Sequence, residues 1–220
     1  MNRSRIALLL LVLLILSGVY YGYQSFQTGT QETTSDPSLV PTPEFEADSA
    51  YAYIAKQVNF GPRIPQSAAQ KACGEWIISK MKSYGLQVTT QPFEANRYDG
   101  KKLKGLNIVA SFNPAAAKRI LIAAHWDARS IADKDSVRKN EPIDAANDGA
   151  SGVGVMIELA RVLSKTKDKP AVGVDFVFFD LEDHGEPHDM ESGNPLSWAL
   201  GSQYWSAHLM PENYHPYYGI

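Results

Sequence analysis

Two apolar runs, each followed at once by ionisable residues, place the strongest constraint on how this 220-residue chain can fold. The first lies within residues 119–125, and the second within residues 172–179, where Asp175 is the single charged residue. Between them, residues 149–164 repeat apolar side chains at helical spacing. A strand, a helix and a second strand in this order predict a parallel strand pair joined by a right-handed crossover.

The segment upstream of these runs predicts helices and an antiparallel strand pair. Residues 49–58 and 67–84 have helical patterns, and residues 87–93 and 106–112 alternate in the manner of strands around a charged stretch rich in turn formers. We therefore predict an α/β fold with a mixed, mostly parallel central sheet that is flanked by helices. The chain shows no internal repeat.

The N-terminus carries the features of a targeting segment. Arg3 and Arg5 precede an uncharged apolar run over residues 6–23, which is long enough to span a bilayer. Residues 1–23 are thus predicted to be a retained signal anchor or a cleaved signal peptide, which places the remainder outside the cytoplasm, either periplasmic or secreted. Residues 24–44 read as a flexible linker, and residues 45–220 as the folded domain.

Charge and cysteine content exclude several classes of function. The net charge of −3 gives no electrostatic basis for binding nucleic acid. Cys73 is the single cysteine, so neither an intrachain disulfide nor a thiolate metal cage can form. Any metal ion bound by this chain must therefore use oxygen and imidazole ligands.

Candidate site residues follow the two central strands, because ligand sites in open α/β sheets gather at the carboxyl ends of strands. After the first strand, His125 can bind a divalent metal, and Asp127 can orient its imidazole. Asp148 stands before the third helix, where Gly149 and Gly152 permit close backbone approach. Asp148 is either a metal-binding carboxylate or the N-cap of that helix.

Two adjacent carboxylates, Glu182 and Asp183, follow the second strand. Such neighbours repel each other at a buried strand end unless a cation or a proton compensates. If the chain stays extended they face opposite ways, so one can bind a metal while the other acts as the general base of a metal-assisted reaction. Trp126, between His125 and Asp127, is a candidate for contact with the substrate.

Together these residues resemble the zinc aminopeptidases with a co-catalytic metal site, and within that family the bacterial glutaminyl cyclases. The resemblance covers about residues 52–220, and its motifs are His125-x-Asp127, residues 148–152 and Glu182-Asp183, with residues 59–63 and 201–205 in support. It implies that Asp148 and Asp183 bind zinc and that Glu182 is the catalytic acid and base. His125 matches a ligand of the second metal in two-metal peptidases, so one zinc ion is expected and a second is left open.

The resemblance implies a zinc-dependent enzyme that converts the N-terminal glutamine of peptides or proteins to pyroglutamate and releases ammonia. Aspartate at position 183, where the peptidases mostly have glutamate, favours this cyclase reaction. Two alternatives stay open: a zinc aminopeptidase that hydrolyses N-terminal residues, and an inactive or cation-binding module tethered to the membrane.

The resemblance also implies ligands further along the chain, namely an aspartate after the next strand and a late histidine. The sequence ends at Ile220, so the domain is expected to be truncated at its C-terminus. None of the remaining histidines matches the late ligand, and all are expected to be solvated loop residues: His184, His188, His208 and His215.

Overall fold

A computed structural model describes Ser17, Tyr20 and residues 43–190, 193–212 and 214–220. The predicted signal segment over residues 1–23 and the predicted linker over residues 24–44 thus fall almost entirely outside the described residues. Within the part that is described, no helix is both long enough and apolar enough to cross a membrane.

The centre of the fold is a mixed sheet of five strands in the order β1-β2-β4-β3-β5. The strands are β1 (Gln87–Asn96), β2 (Lys102–Phe112), β3 (Arg119–His125), β4 (Gly173–Phe179) and β5 (Tyr218–Gly219). β2 is antiparallel to β1 and to β4, whereas β3 is parallel to β4 and to β5. The predicted mixed sheet is confirmed, with the antiparallel pair at one edge and the parallel pair in the centre.

Helices flank this sheet: α1 (Ala47–Val58), α2 (Ala68–Ser83), α3 (Ala150–Lys165) and α4 (Leu200–Ala207), with a short 3₁₀ turn at Pro195–Ser197. The three helices predicted from apolar spacing are α1, α2 and α3. Helix α2 begins after Ser67, whose side chain accepts a hydrogen bond from the backbone N–H of Gln70. That contact is a typical N-cap, which explains why the helix begins there.

The main hydrophobic core lies between the sheet and helices α2 and α3. Its fully buried members come from α2, from α3 and from the central strands, and include Ile77, Met81, Val153, Ile157, Ile108 and Phe176. Cys73 lies in the same core, where burial raises the pKa of its thiol to about 12. A thiol with so high a pKa stays protonated, so Cys73 is a packing residue rather than a nucleophile.

The crossover through α3 brings the carboxyl ends of β3 and β4 side by side. His125, the last residue of β3, pairs in register with Phe179, the last residue of β4. The register continues one residue further, because the N–H of Trp126 donates to the carbonyl of Phe179 at 3.0 Å. The residues that follow the two strands therefore leave the sheet next to each other.

Candidate active site

A cavity of about 870 Å³ opens at this end of the sheet. Its lining includes His125, at the end of β3, and Asp148, Glu182 and Asp183, which come from two loops. The structure therefore brings together four of the residues selected from the sequence. The remaining lining is mixed in character and includes Arg129, Ile131, Asp133, Lys134, Ile143, His188 and Trp198.

Asp148 contacts the imidazole of His125, with Oδ1 2.8 Å from Nε2. It does not cap helix α3, because the N-cap position is Gly149, at a φ of 95°. A Cβ at position 149 would lie 3.0 Å from Cε1 of His125 and 3.1 Å from the carbonyl oxygen of Asp127. Glycine thus allows the start of α3 to pack against the imidazole, and the carboxylate of Asp148 is left exposed at the cavity.

Asp127 is fully buried and holds the backbone of the acidic pair. Its Oδ1 accepts a hydrogen bond from the N–H of Glu182, and its Oδ2 accepts one from the N–H of Asp183, both at 3.1 Å. Burial alone would raise the pKa of Asp127, but the imidazoles of His125 and His184 lower it below its usual range. Asp127 is therefore an ionised carboxylate that fixes the position of both residues.

The imidazole of His125 lies among carboxylates. Its Nδ1 is 3.4 Å from Oδ1 of Asp127 and 3.9 Å from Oε2 of Glu182. This nitrogen has no hydrogen-bond partner among the described residues. Burial would lower the pKa of His125, but contacts with Asp127, Glu182 and Asp148 outweigh burial and raise the pKa to about 9. The expected contact with Asp127 is thus present, although it is longer than a good hydrogen bond.

The pKa values of Glu182 and Asp183 are both raised above those of ordinary carboxyl groups. Burial raises the pKa of Glu182, and the carboxylates of Asp127 and Asp148 raise it further, although His125 opposes them. Burial also raises the pKa of Asp183, to about 7, against the opposing charge of Arg129. Carboxyl groups that are desolvated beside other carboxylates are short of positive charge, which a bound cation would supply.

The side chains present fit part of a zinc site. Asp148 and Asp183 offer carboxylate oxygens and His125 offers an imidazole nitrogen, which are the ligand types that zinc accepts in the absence of cysteine. The shortage of positive charge around Asp183, and the approach of Asp148 Oδ1 to within 2.8 Å of His125 Nε2, are consistent with a cation at this place. Among the described residues, no three His, Cys, Asp or Glu side chains are already arranged as a complete metal cage.

The structure places Trp126 away from this cavity. Its side chain is only 1% exposed, and its indole N–H donates to the carbonyl of Leu106 at 3.2 Å. The ring packs in the core beside Gly74 of helix α2. Because alternate residues of an extended chain face opposite sides, Trp126 points away from the side of the sheet that His125 and Asp127 share. The expected contact with substrate is not supported by this position.

His184 was expected to be a solvated loop residue, and this expectation is wrong. The residue is 3% exposed, and its Nε2 lies 3.4 Å from Oδ2 of Asp127. The chain turns back into the protein after Asp183, which a local pattern of polar residues does not reveal. The other three histidines are exposed as expected, and among them His188 lines the cavity.

Two buried arginines near the site were not singled out from the sequence. Arg63 donates to the carbonyl oxygens of Asp144 at 2.7 Å and Ala145 at 2.8 Å, and so fixes the loop that leads to Asp148. Arg129 bonds to the loop that carries Asp183. The acceptors of Arg63, and those of Arg129 on this loop, are backbone carbonyl groups, which every residue has, so these contacts leave no pattern in the sequence. Arg63 did fall within the motif at residues 59–63.

Comparison with known proteins agrees with this geometry. The model of peptidase family M28 matches residues 107–216, which is half of the chain and includes the four cavity residues. The uncharacterised protein YfbL of Escherichia coli K12 is 34% identical over 111 residues, which cover 50% of this chain and 31% of that protein.

Two crystal structures show the same architecture over a longer stretch. A zinc-dependent exopeptidase from Parabacteroides distasonis is 45% identical, with a TM-score of 0.78. The match covers 82% of this chain and 62% of the exopeptidase chain. A glutaminyl cyclase from Bacteroides thetaiotaomicron, bound to N-acetylhistamine, is 43% identical with the same TM-score of 0.78 and the same coverage, 82% and 62%. The chain thus spans about three fifths of these solved proteins and less than a third of YfbL.

Proposed function

Because the chain belongs to peptidase family M28, we propose that it carries a large part of a zinc-dependent glutaminyl cyclase. The enzyme converts the N-terminal glutamine of a peptide or protein to pyroglutamate and releases ammonia. The observation that carries this proposal is the position of Glu182, with a raised pKa, on the same cavity as Asp148 and Asp183. Similarity to the cyclase of Bacteroides thetaiotaomicron, at 43% identity, supports it.

In this proposal Asp148 and Asp183 are ligands of one zinc ion, and His125 is available to a second. A zinc ion held there would polarise the side-chain carbonyl of the substrate glutamine as a Lewis acid. Asp127 supports the site indirectly, because it binds the backbone N–H groups of Glu182 and Asp183. These two bonds fix the backbone of the pair at the edge of the cavity.

Glu182 is the proposed acid and base. The α-amine of the substrate attacks its own side-chain amide carbon, so a new C–N bond closes the ring while the bond to the departing nitrogen breaks. Glu182 accepts the proton from the amine and returns it to the leaving ammonia. Burial raises the pKa of Glu182, and the carboxylates of Asp127 and Asp148 raise it further, which makes this carboxylate a stronger base than an ordinary glutamate. The attack is intramolecular and is therefore favoured by proximity.

The proposed substrates are free N-termini of peptides or proteins outside the cytoplasm. A cavity of about 870 Å³ that is open to solvent can admit a chain end. The extracytoplasmic location, whether periplasmic or secreted, rests on Arg3, Arg5 and the apolar run over residues 6–23, which also gives the proposed membrane anchor.

A zinc aminopeptidase is the second candidate, favoured by the 45% identity to the zinc-dependent exopeptidase of Parabacteroides distasonis. In that reaction Glu182 would take a proton from the attacking water instead of from the substrate amine.

Incubation of the zinc-supplemented protein with a short peptide that begins with glutamine separates the two reactions. We expect ammonia and a peptide that loses 17 mass units without shortening, because loss of one ammonia closes the ring. Release of free glutamine would establish the aminopeptidase instead. Absence of both products, in a preparation that binds zinc, would contradict the proposal and favour the inactive or cation-binding module. Glu182→Gln is the matched control for background hydrolysis.

A further inference from the structure

Arg129 forms a paired ionic contact with Asp133 at the wall of the cavity. Its Nε and Nη2 each lie 2.7 Å from one carboxylate oxygen of Asp133. The arginine is 7% exposed, so the pair is largely withdrawn from water. A two-point contact between guanidinium and carboxylate fixes the plane and the direction of both groups.

The same guanidinium reaches three carbonyl groups of residues 182–188, the segment that we call the acidic loop. Nη1 donates to the carbonyl oxygens of Asp183 at 3.1 Å and Gly185 at 3.5 Å, and Nη2 donates to that of Glu186 at 3.3 Å. An arginine has five N–H groups. Each of the five therefore has an acceptor, two on Asp133 and three on the acidic loop.

Asp133 holds the far end of the acidic loop. Its Oδ2 accepts a hydrogen bond from the backbone N–H of His188 at 2.7 Å. The ring of Trp198 covers the guanidinium, 4.6 Å from its central carbon. The loop passes close under this ring at Gly185, where a Cβ would lie 2.2 Å from the indole atoms. The pair thus binds the loop at both ends, and Trp198 closes over it.

We propose that Arg129 and Asp133 are positioning residues that hold the acidic loop in the shape that presents Glu182 and Asp183 to the cavity. Adjacent buried carboxylates repel each other and gain hydration by turning outward. Asp127 resists this movement from one side of the loop through two backbone N–H groups. Arg129 and Asp133 resist it from the other side. Although Arg129 lines the cavity, its donors are engaged by the protein and so are not offered to the substrate.

This inference rests on the proposed function for the role of Glu182 and Asp183, but its first test does not depend on activity. Hydrogen–deuterium exchange is measured on peptides that cover the acidic loop in the wild type, Arg129→Lys and Asp133→Asn. We expect backbone exchange in this loop to become at least about tenfold faster in both variants, because charge-assisted hydrogen bonds to it are lost. Lysine keeps the charge but cannot replace five fixed donors.

Arg161→Lys is the matched control for the loss of a buried arginine. Arg161 bonds Glu158 through Nε at 2.7 Å and Nη2 at 2.5 Å, on helix α3 and outside the cavity lining. We expect it to leave exchange in the acidic loop unchanged. Unchanged exchange in both Arg129→Lys and Asp133→Asn would overturn the proposal, as would an equal acceleration in Arg161→Lys.

Turnover of a glutaminyl peptide gives the second test. We expect each variant to lower kcat by about 10- to 100-fold with little change in KM, because misplaced catalytic groups slow the chemical step. The double variant should be no slower than Arg129→Lys alone, since both residues act through one contact. Losses that multiply, or a change confined to KM, would contradict a shared positioning role. If the wild type makes no pyroglutamate, the proposed function fails while the exchange result still decides this inference.

Discussion

Strand β4 carries a buried acidic residue at its middle and an acidic pair just beyond its end, and their surroundings differ sharply. Asp175, at the middle, is 1% exposed and receives the Nε and Nη2 of Arg119 at 2.7 and 2.6 Å. Ser111 and Tyr214 donate their hydroxyl groups to the same carboxylate at 2.5 and 2.8 Å. Asp183, just beyond the strand, is 6% exposed, and its nearest guanidinium nitrogen, on Arg129, is 3.7 Å away.

The contrast separates a structural carboxylate from one available for chemistry. Asp175 has four donors and a full counter-charge, so it serves to tie β2, β3 and the segment of Tyr214 together. Asp183 has neighbouring carboxylates in place of donors, and its pKa is raised to about 7 by burial. A buried carboxylate that lacks a counter-charge within the protein is the place where binding of a cation is most favourable.

We expect the largest effect from Glu182→Gln, which changes the acidic pair just beyond the end of strand β4. We expect kcat to fall by about 10²- to 10⁴-fold, because the group that transfers the proton is lost. The free energy of unfolding should not fall, since the variant removes a desolvated carboxylate with repulsive neighbours. Ammonia release and thermal unfolding measure the two quantities. Turnover at the wild-type rate would remove Glu182 from the mechanism.

Asp175→Ala should have the opposite effect and reduce stability rather than turnover. We expect the free energy of unfolding to fall by about 3–5 kcal/mol, because the partly buried guanidinium of Arg119 and the hydroxyl groups of Ser111 and Tyr214 lose their acceptor. Chemical denaturation of this variant beside Asp183→Asn sharpens the comparison, since the second variant removes a carboxyl that burial already disfavours. Equal destabilisation by the two variants would show that the distinction between the two acids is mistaken.

Gly149→Ala tests how tightly the start of helix α3 packs on His125. The positive φ of 95° alone should cost about 1–2 kcal/mol. The added Cβ also meets the imidazole at 3.0 Å, so the activity should fall as well. Gly85→Ala is the matched control, because Gly85 has a φ of 80° and open space around its Cβ position. The same loss of activity in both variants would argue against a specific role for this contact.

The smallest expected effect is on the thermal stability of the protein at low pH. The hydrogen bond from Arg129 lowers the pKa of Asp133 from 3.8 to about 2. A carboxyl with a depressed pKa stabilises the folded state above pH 3.8, and this contribution is lost as the pH falls towards 2. The difference in Tm between the wild type and Asp133→Asn should therefore be largest above pH 4 and shrink as the pH is lowered towards 2. A difference in Tm that grows as the pH is lowered would contradict a stabilising ion pair between Arg129 and Asp133.

The sequence predicted the fold through features that are local. Alternation and apolar spacing identified β3 at residues 119–125 and β4 within one residue of its start, and chain order predicted their parallel pairing. The same logic placed His125, Asp148, Glu182 and Asp183 at one end of the sheet, where the structure also has them. Their roles in zinc binding and proton transfer remain predictions.

Long-range partners could not be predicted. Asp175 looked like an interruption of an apolar strand, although Arg119, 56 residues away, compensates it. His184 looked solvated because its neighbours are polar, yet the fold buries it against Asp127. Trp126 looked accessible because it adjoins His125, but its ring packs in the core beside Gly74 and its indole N–H bonds to the carbonyl of Leu106. Each of these facts depends on a contact between segments that are distant in the chain.

The central claim is that Asp148 and Asp183 share a zinc ion beside Glu182. A crystal of the zinc-supplemented protein, measured on both sides of the zinc absorption edge, tests this directly. The account predicts an anomalous peak about 2.0–2.2 Å from a carboxylate oxygen of each aspartate. A well-ordered cavity with no such peak, or a peak bound only by other residues such as Asp133 and His188, would contradict it.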